Sequence, residues 1–252
     1  MTSAATRAEI CAIACADLFA GDGEILASPM GLLPTLGARL AKLTTEPDLL
    51  LSDGEAYLLA DVPELGNNSS SDVEGWLPYR KVFDIVAHGR RHVVMGANQI
   101  DRYGNQNISC IGAHAHPTRQ LLGFRGAPGN TVNHPTSYWI PRHSTRVFVE
   151  SVDVVSGVGY DRARAAGSSA QRFHQIRRVV SNLGVFDFNT SDHSMRLVST
   201  HPGVQQDDVV QQTSFPLDTR DAGETRQPSD EELRLLREVL DPRGLREREV
   251  SS

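Results

Sequence analysis

Apolar residues recur at helical spacing near both ends of the chain and in short β-branched or aromatic runs through its middle. Thr6 and Glu9 stand three apart, as in a capping box, and Ile10, Ile13, Ala14 and Leu18 then keep one helical face until Gly21 and Gly23. The pattern predicts a first helix there and a short strand over 24–27. Ser28 and Pro29 read as the N-cap and first residue of a second helix carrying Leu32, Leu33, Leu36 and Leu40. Leu49, Leu50 and Leu51 form an apolar run that stops at Ser52, Asp53 and Gly54, the signature of a buried strand leading into a loop. Helix and strand alternate, which argues for the α/β class.

Residues 64–75 are rich in Asn, Ser, Asp and Gly and are expected to form an exposed insertion. Beyond them, strands are predicted over 83–86, 92–95, 119–122, 138–140, 147–155, 177–180, 185–188 and 195–199. A short helix is expected over 207–212 and a charged linker over 217–227. Ser229 and Glu232 then make a second capping box, opening a last helix with Leu233, Leu236 and Leu240 that stops before Pro242. The expectation is one α/β domain over residues 1–216, built on an open, mixed, mostly parallel sheet flanked by helices. Residues 217–252 would add a polar linker and a C-terminal helix packed on the same domain.

The 252 residues include 25 Lys and Arg against 31 Asp and Glu, a formal charge of −6 that repels nucleic acid and anionic membranes. No apolar run reaches the length of a membrane span, and Asp17 interrupts the one stretch, residues 10–20, that imitates a signal peptide. Cys11, Cys15 and Cys110 are odd in number and set in apolar surroundings, as expected of reduced, buried thiols. A cytoplasmic protein without nucleic-acid or membrane partners is expected.

Two passages are dense in glycine and amides. One, 96–105, contains Asn98, Gln99, Asp101 and Asn105; alone it reads as a hydrogen-bonded turn. The other, 123–129, places Arg125 between Gly123 and Gly126, where the backbone can approach a ligand and a fixed cation can polarise a carbonyl. An ordinary surface arginine fits the same sequence. His114, His116, His134 and His143 offer material for a metal site, although His-x-His arises readily in loops. Gly157 and Gly159 lack the third glycine of a dinucleotide fingerprint, and no Gly-x-Ser-x-Gly elbow is present.

In order and spacing, residues 52–54, 96–105 and 123–127 resemble the β subunit of class I coenzyme A transferases, and the resemblance extends over 24–217. Within that family the chain is most similar to β subunits of hydrolases that open a ring of a CoA thioester in steroid (cholesterol) degradation. The resemblance implies substrate-binding roles for Asn98, Gln99, Asn105, Gly123 and Gly126. It also implies a homologous α subunit, arranged as an α2β2 heterotetramer, and no cofactor beyond the CoA carried by the substrate. Two departures stand out. The nucleophilic glutamate of a transferase corresponds to Asp53, one methylene shorter, with Glu55 two residues on, and the second glycine of a Gly-x-Gly-Gly-Ala loop is Arg125. A displaced carboxylate forfeits attack geometry, so the resemblance implies hydrolysis of a cyclic keto thioester, with Arg125, Asp53 and Glu55 as catalytic candidates. A true acyl-CoA transferase, a metal-dependent hydrolase and a non-catalytic partner subunit are the competing expectations. Asp53 and Glu55 also fit as simple turn acids.

Overall fold

The computed structural model describes residues 4–54, 56–67 and 72–250. The chain falls into two compact units, residues 1–94 with 225–252, and residues 95–224. Its class is α/β, a mixed, mostly parallel sheet flanked by helices.

In the first unit, α1 (Arg7–Ala16) opens with the expected box: the Thr6 hydroxyl accepts the Glu9 amide and the Glu9 carboxylate accepts the Thr6 amide. Every residue from Ala8 to Ala16 is buried, including Glu9. Burial works to raise the Glu9 pKa, but Arg237 and Arg246, each 2.8 Å away, and the Thr6 amide hold it below the usual range. Helix α2 (Leu32–Leu43) packs on α1 at Gly37, where a Cβ would lie 2.6 Å from the Cys15 carbonyl carbon. Only glycine permits that approach. Strand β1 (Leu26–Pro29) runs parallel to a later strand, Arg91–Met95, with Leu26 opposite Arg91 and Pro29 opposite Val94. Between them lie β2 (Leu51–Ser52), β3 (Tyr57–Leu59) and β4 (Val73–Trp76), an antiparallel set, followed by α3 (Tyr79–His88) and then by that strand, β5. The C-terminal helix Asp230–Arg234 carries the second capping box, continues as a π-helical turn to Leu240 and buries Leu233, Leu236 and Leu240.

The second unit begins with two small hairpins, β6 (Gln99–Ile100) with β7 (Gln106–Asn107), and β8 (Cys110–Ile111) with β9 (Arg119–Gln120). After α4 (Ala127–Asn133), β10 (Pro135–Ile140) pairs in parallel with β11 (Gln175–Ser181). Then β12 (Gly184–Asp187) and β13 (Arg196–Thr200) continue antiparallel, and β14 (Gly223–Glu224) closes in parallel with β13. Tyr138, Trp139, Phe148 and Phe186 fill the core. The His143 ring stacks on Phe148 at 3.6 Å and reaches Ser181 and Thr213 at 3.0 Å each; burial pushes its pKa down to about 3, so it is a neutral core residue.

Three expected elements differ. Residues 83–86 belong to helix α3 and not to a strand, because Tyr79, Val82, Phe83 and Val86 share a helical face and Pro78 stands at the N-cap. Pro29 ends β1; α2 starts two residues beyond Met30, at Leu32, after Gly31 turns the chain at φ +116°. Residues 147–155 form no strand beyond a bridge between Phe148 and Ile100, since polar positions such as Asp153 tie this segment to the first hairpin. Of the polar insertion, 68–71 lie outside the described residues, and its end forms β4.

Candidate active site

The first unit holds a cleft of about 370 Å³. Strand β1 and the turn after it supply Leu26, Ser28, Pro29 and Met30, and the β2–β3 hairpin supplies Ser52, Asp53, Gly54 and Ala56. Leu77 with Val82 and Ile85 of α3 forms an apolar wall; Arg39 of α2 and Arg91 of β5 also line the cleft.

Asp53 sits at the end of the short β2 strand, the place expected for a functional carboxylate. Its Oδ1 accepts the amides of Ala56 and Tyr57, both at 2.9 Å, so this oxygen clamps the hairpin turn while Gly54 adopts φ +82°. The turn-acid role is real, and the carboxylate lines the cleft as well. Glu55 lies outside the described residues.

Two cleft arginines, Arg39 and Arg91, are site residues that the sequence analysis did not single out. Both are only 5% exposed. Burial lowers the pKa of Arg39, against the opposing pull of Asp61, and one of its amines donates to the Pro63 carbonyl at 2.9 Å. Burial alone pushes Arg91 down to about 10. The available hints were weak: a cation within the apolar face of α2, and a charge opening the apolar run 92–95.

In the second unit, the 96–105 passage is a frame of internal hydrogen bonds. Gln99 is buried; its Oε1 accepts from Asn107 at 2.7 Å and from the Asp153 amide at 3.0 Å. Asn105 is buried too. Its Nδ2 donates to Asp101 at 2.9 Å and to Asp161 at 2.8 Å, and its Oδ1 accepts the Gly159 amide at 2.7 Å. Burial raises the Asp101 pKa, with Asn105 and two backbone amides opposing the rise. Gln99 and Asn105 therefore brace loops, whereas Asn98 is exposed and donates its backbone amide to Asn107.

The glycine loop is open. Gly123 has φ +83° with no atom within 4 Å of the place a Cβ would take, and Gly126 is the N-cap of α4, facing Asn130. Arg125 between them has φ +51°, an unfavourable conformation for a side-chain-bearing residue. It is exposed and has no hydrogen-bond or ion-pair partner among the described residues. Asp53 and Arg125 belong to different units. His134 and His143 are buried, His114 and His116 exposed, and the described residues contain no group of three metal-ligating side chains.

No protein-family model matches the chain. It is 64% identical over 247 residues to the cholesterol ring-cleaving hydrolase IpdB subunit of Rhodococcus jostii (strain RHA1), spanning 98% of this chain and 96% of that one. The IpdB subunit of Mycobacterium tuberculosis (strain ATCC 25618 / H37Rv) is 59% identical over 249 residues, spanning 98% and 99%. A glutaconate CoA-transferase subunit from Acidaminococcus fermentans is 28% identical over 240 residues, spanning 88% and 87%. The crystal structure of Rhodococcus jostii RHA1 IpdAB superposes with a TM-score of 0.95 at 63% identity over 100% of both chains. Glutaconate CoA-transferase superposes at 0.79 with 25% identity, covering 94% and 95%. The expected likeness to CoA-transferase β subunits holds, and the chain belongs to the family of IpdB subunits of cholesterol ring-cleaving hydrolases.

Proposed function

We propose that this chain is the β subunit of a hydrolase that opens the ring of a cyclic keto CoA thioester in steroid catabolism, working with a homologous α subunit. The 64% identity to an IpdB subunit over nearly the whole chain carries the reading. In the reaction, water adds to the ring ketone and the bond from that carbon to the carbon α to the thioester breaks. The bonding pair passes into the thioester as an enolate, which takes up a proton, and the former ketone carbon leaves as a carboxylate. Such a path needs an oxyanion partner and a base, but no acyl-enzyme.

Arg125 suits the first role. An unpaired, exposed guanidinium held at φ +51° is strained in the free chain and gains a partner when an oxyanion forms. Asp53, or a carboxylate of the α subunit, serves as the base, and two amides on one Asp53 oxygen fix the group. Asn98, Gly123 and Gly126 are the substrate-contact candidates left open, with Gln99 and Asn105 supporting their loops. The reading includes an α2β2 assembly in the cytoplasm and no cofactor beyond the substrate's CoA. No helix among the described residues is long and apolar enough to cross a membrane.

The test is turnover of a cyclic β-keto CoA thioester by the co-purified subunits, with borohydride trapping during turnover. Ring opening without a trapped enzyme thioester supports the reading. Exchange of CoA between acids through a trapped thioester establishes a transferase instead.

A further inference from the structure

His114, one of the histidines read above as material for a metal site, stands beside the loop that carries Arg125. The rings of His114 and Phe124 lie 5.7 Å apart at 53°, a favourable geometry for an aromatic pair. The two sides of this contact are held very differently. On the hairpin side, the His116 amide donates to the Ala113 carbonyl at 2.9 Å and closes a turn that contains His114. The Thr118 amide and hydroxyl donate to the Ile111 carbonyl at 2.9 and 3.0 Å, and the Gly112 amide donates to the Asp153 carboxylate at 2.8 Å. Asp153 is tied in turn to buried Gln99 through both its amide and its carboxylate. On the loop side, Phe124, Arg125 and Gly126 are all exposed, and Gly123 has open space where a Cβ would lie. A side-chain-bearing residue at φ +51° keeps that conformation only when its surroundings hold it there.

We infer that His114 is a positioning residue: its ring, seated on the braced hairpin, holds Phe124 and through it aims the Arg125 guanidinium at the forming oxyanion. The inference rests on the role given to Arg125 above and adds what holds that residue in place. Phe124 precedes Arg125 directly, and its carbonyl accepts the Ala127 amide at 3.1 Å, so a shift of the Phe124 ring is passed to the strained residue. Misplacing a catalytic group by about 1 Å can cost about 100-fold in rate, so loss of one of the contacts that hold it should cost part of that. The effect is carried by ring packing and not by a proton, so a ring without nitrogens should serve in place of the imidazole.

The experiment uses the assembled two-subunit enzyme and a cyclic β-keto CoA thioester. His114→Ala should lower kcat by about 10-fold while KM changes by less than about 2-fold. His114→Gln, which keeps a polar group without a ring, should behave like Ala, and His114→Phe should return kcat to within about 3-fold of wild type. His116→Ala, at the other histidine of the pair, should leave kcat unchanged. A double-mutant cycle separates action through Arg125 from independent action: in an Arg125→Ala background, His114→Ala should cost less than about 2-fold more. If His114→Ala does not assemble, the Gln and Phe variants and the same cycle with Gln decide. Wild-type kcat in His114→Ala, rescue by Gln and not by Phe, or an undiminished loss in the Arg125→Ala background overturns the inference. Near-normal turnover in Arg125→Ala overturns it too, by removing the residue it acts on. If the complex opens no ring but exchanges CoA, the ring-opening reading fails by itself, and the same cycle run on CoA exchange decides whether His114 acts through Arg125.

Discussion

The Asn105 carboxamide oxygen accepts the Gly159 amide at 2.7 Å, and the same side chain's nitrogen bridges Asp101 and Asp161. Positions far apart in the chain are thereby joined around one buried amide. At Gly159 a Cβ would fall 2.4 Å from the Tyr103 carbonyl oxygen, so the two segments are in backbone contact as well. Asn105→Leu should cost about 2–4 kcal/mol, because it leaves the buried Asp101 carboxylate and the Gly159 amide short of partners. Thermal unfolding of the purified two-subunit enzyme checks this; an unchanged midpoint would mean that the network is dispensable.

Asp53 joins a structural to a proposed chemical role, and one substitution separates them. In Asp53→Asn the amide oxygen can still accept the Ala56 and Tyr57 amides, so the hairpin should keep its stability. Loss of the base should lower kcat by about 100-fold or more. Preserved kcat in Asp53→Asn, with a stability loss of about 1 kcal/mol only in Asp53→Ala, would mark Asp53 as a turn acid only.

Arg125→Ala should reduce kcat/KM by roughly two to four orders of magnitude, and Arg125→Lys should recover part of that, since lysine keeps the charge without the planar fork. Arg125→Gly should slightly raise thermal stability by relieving the +51° backbone angle while remaining catalytically poor. Near-normal turnover in Ala and Lys together with weaker subunit assembly would make Arg125 an interface residue.

His143 predicts an acid sensitivity. Burial holds its folded-state pKa at about 3, below the ordinary value of 6.5. Between those values the unfolded chain binds a proton that the folded chain does not, so its contribution is complete above pH 6.5 and is lost as pH falls toward 3. The maximal slope is about 1.4 kcal/mol per pH unit from this residue. Urea unfolding at pH 7 and pH 5 should show the loss, and a His143→Gln variant should show a shallower one.

Both capping boxes were legible because their signal lies within four residues, and Thr6–Glu9 and Ser229–Glu232 form as written. The β-branched run 83–86 misled because Val82, Phe83 and Val86 satisfy helical spacing while also looking like a short strand. The place of Asp53 at a strand end could be read from neighbouring residues, whereas the positive φ of Arg125 could not. Arg39 and Arg91 could not, since what makes them site residues is a cleft assembled from β1, the β2–β3 hairpin and α3. Likewise, nothing local to Asn105 announces Asp161 or Gly159.

The central claim is that this chain and its α subunit together hydrolyse a ring carbon–carbon bond. Its most direct test is the mass of the product formed from a cyclic β-keto CoA thioester in ¹⁸O-labelled water, using this chain alone, the α subunit alone and the two combined. The account predicts a ring-opened CoA thioester with one ¹⁸O atom in the new carboxylate, formed only by the combined subunits. An intact ring whose CoA has moved to another acid, or full activity from this chain alone, would contradict it.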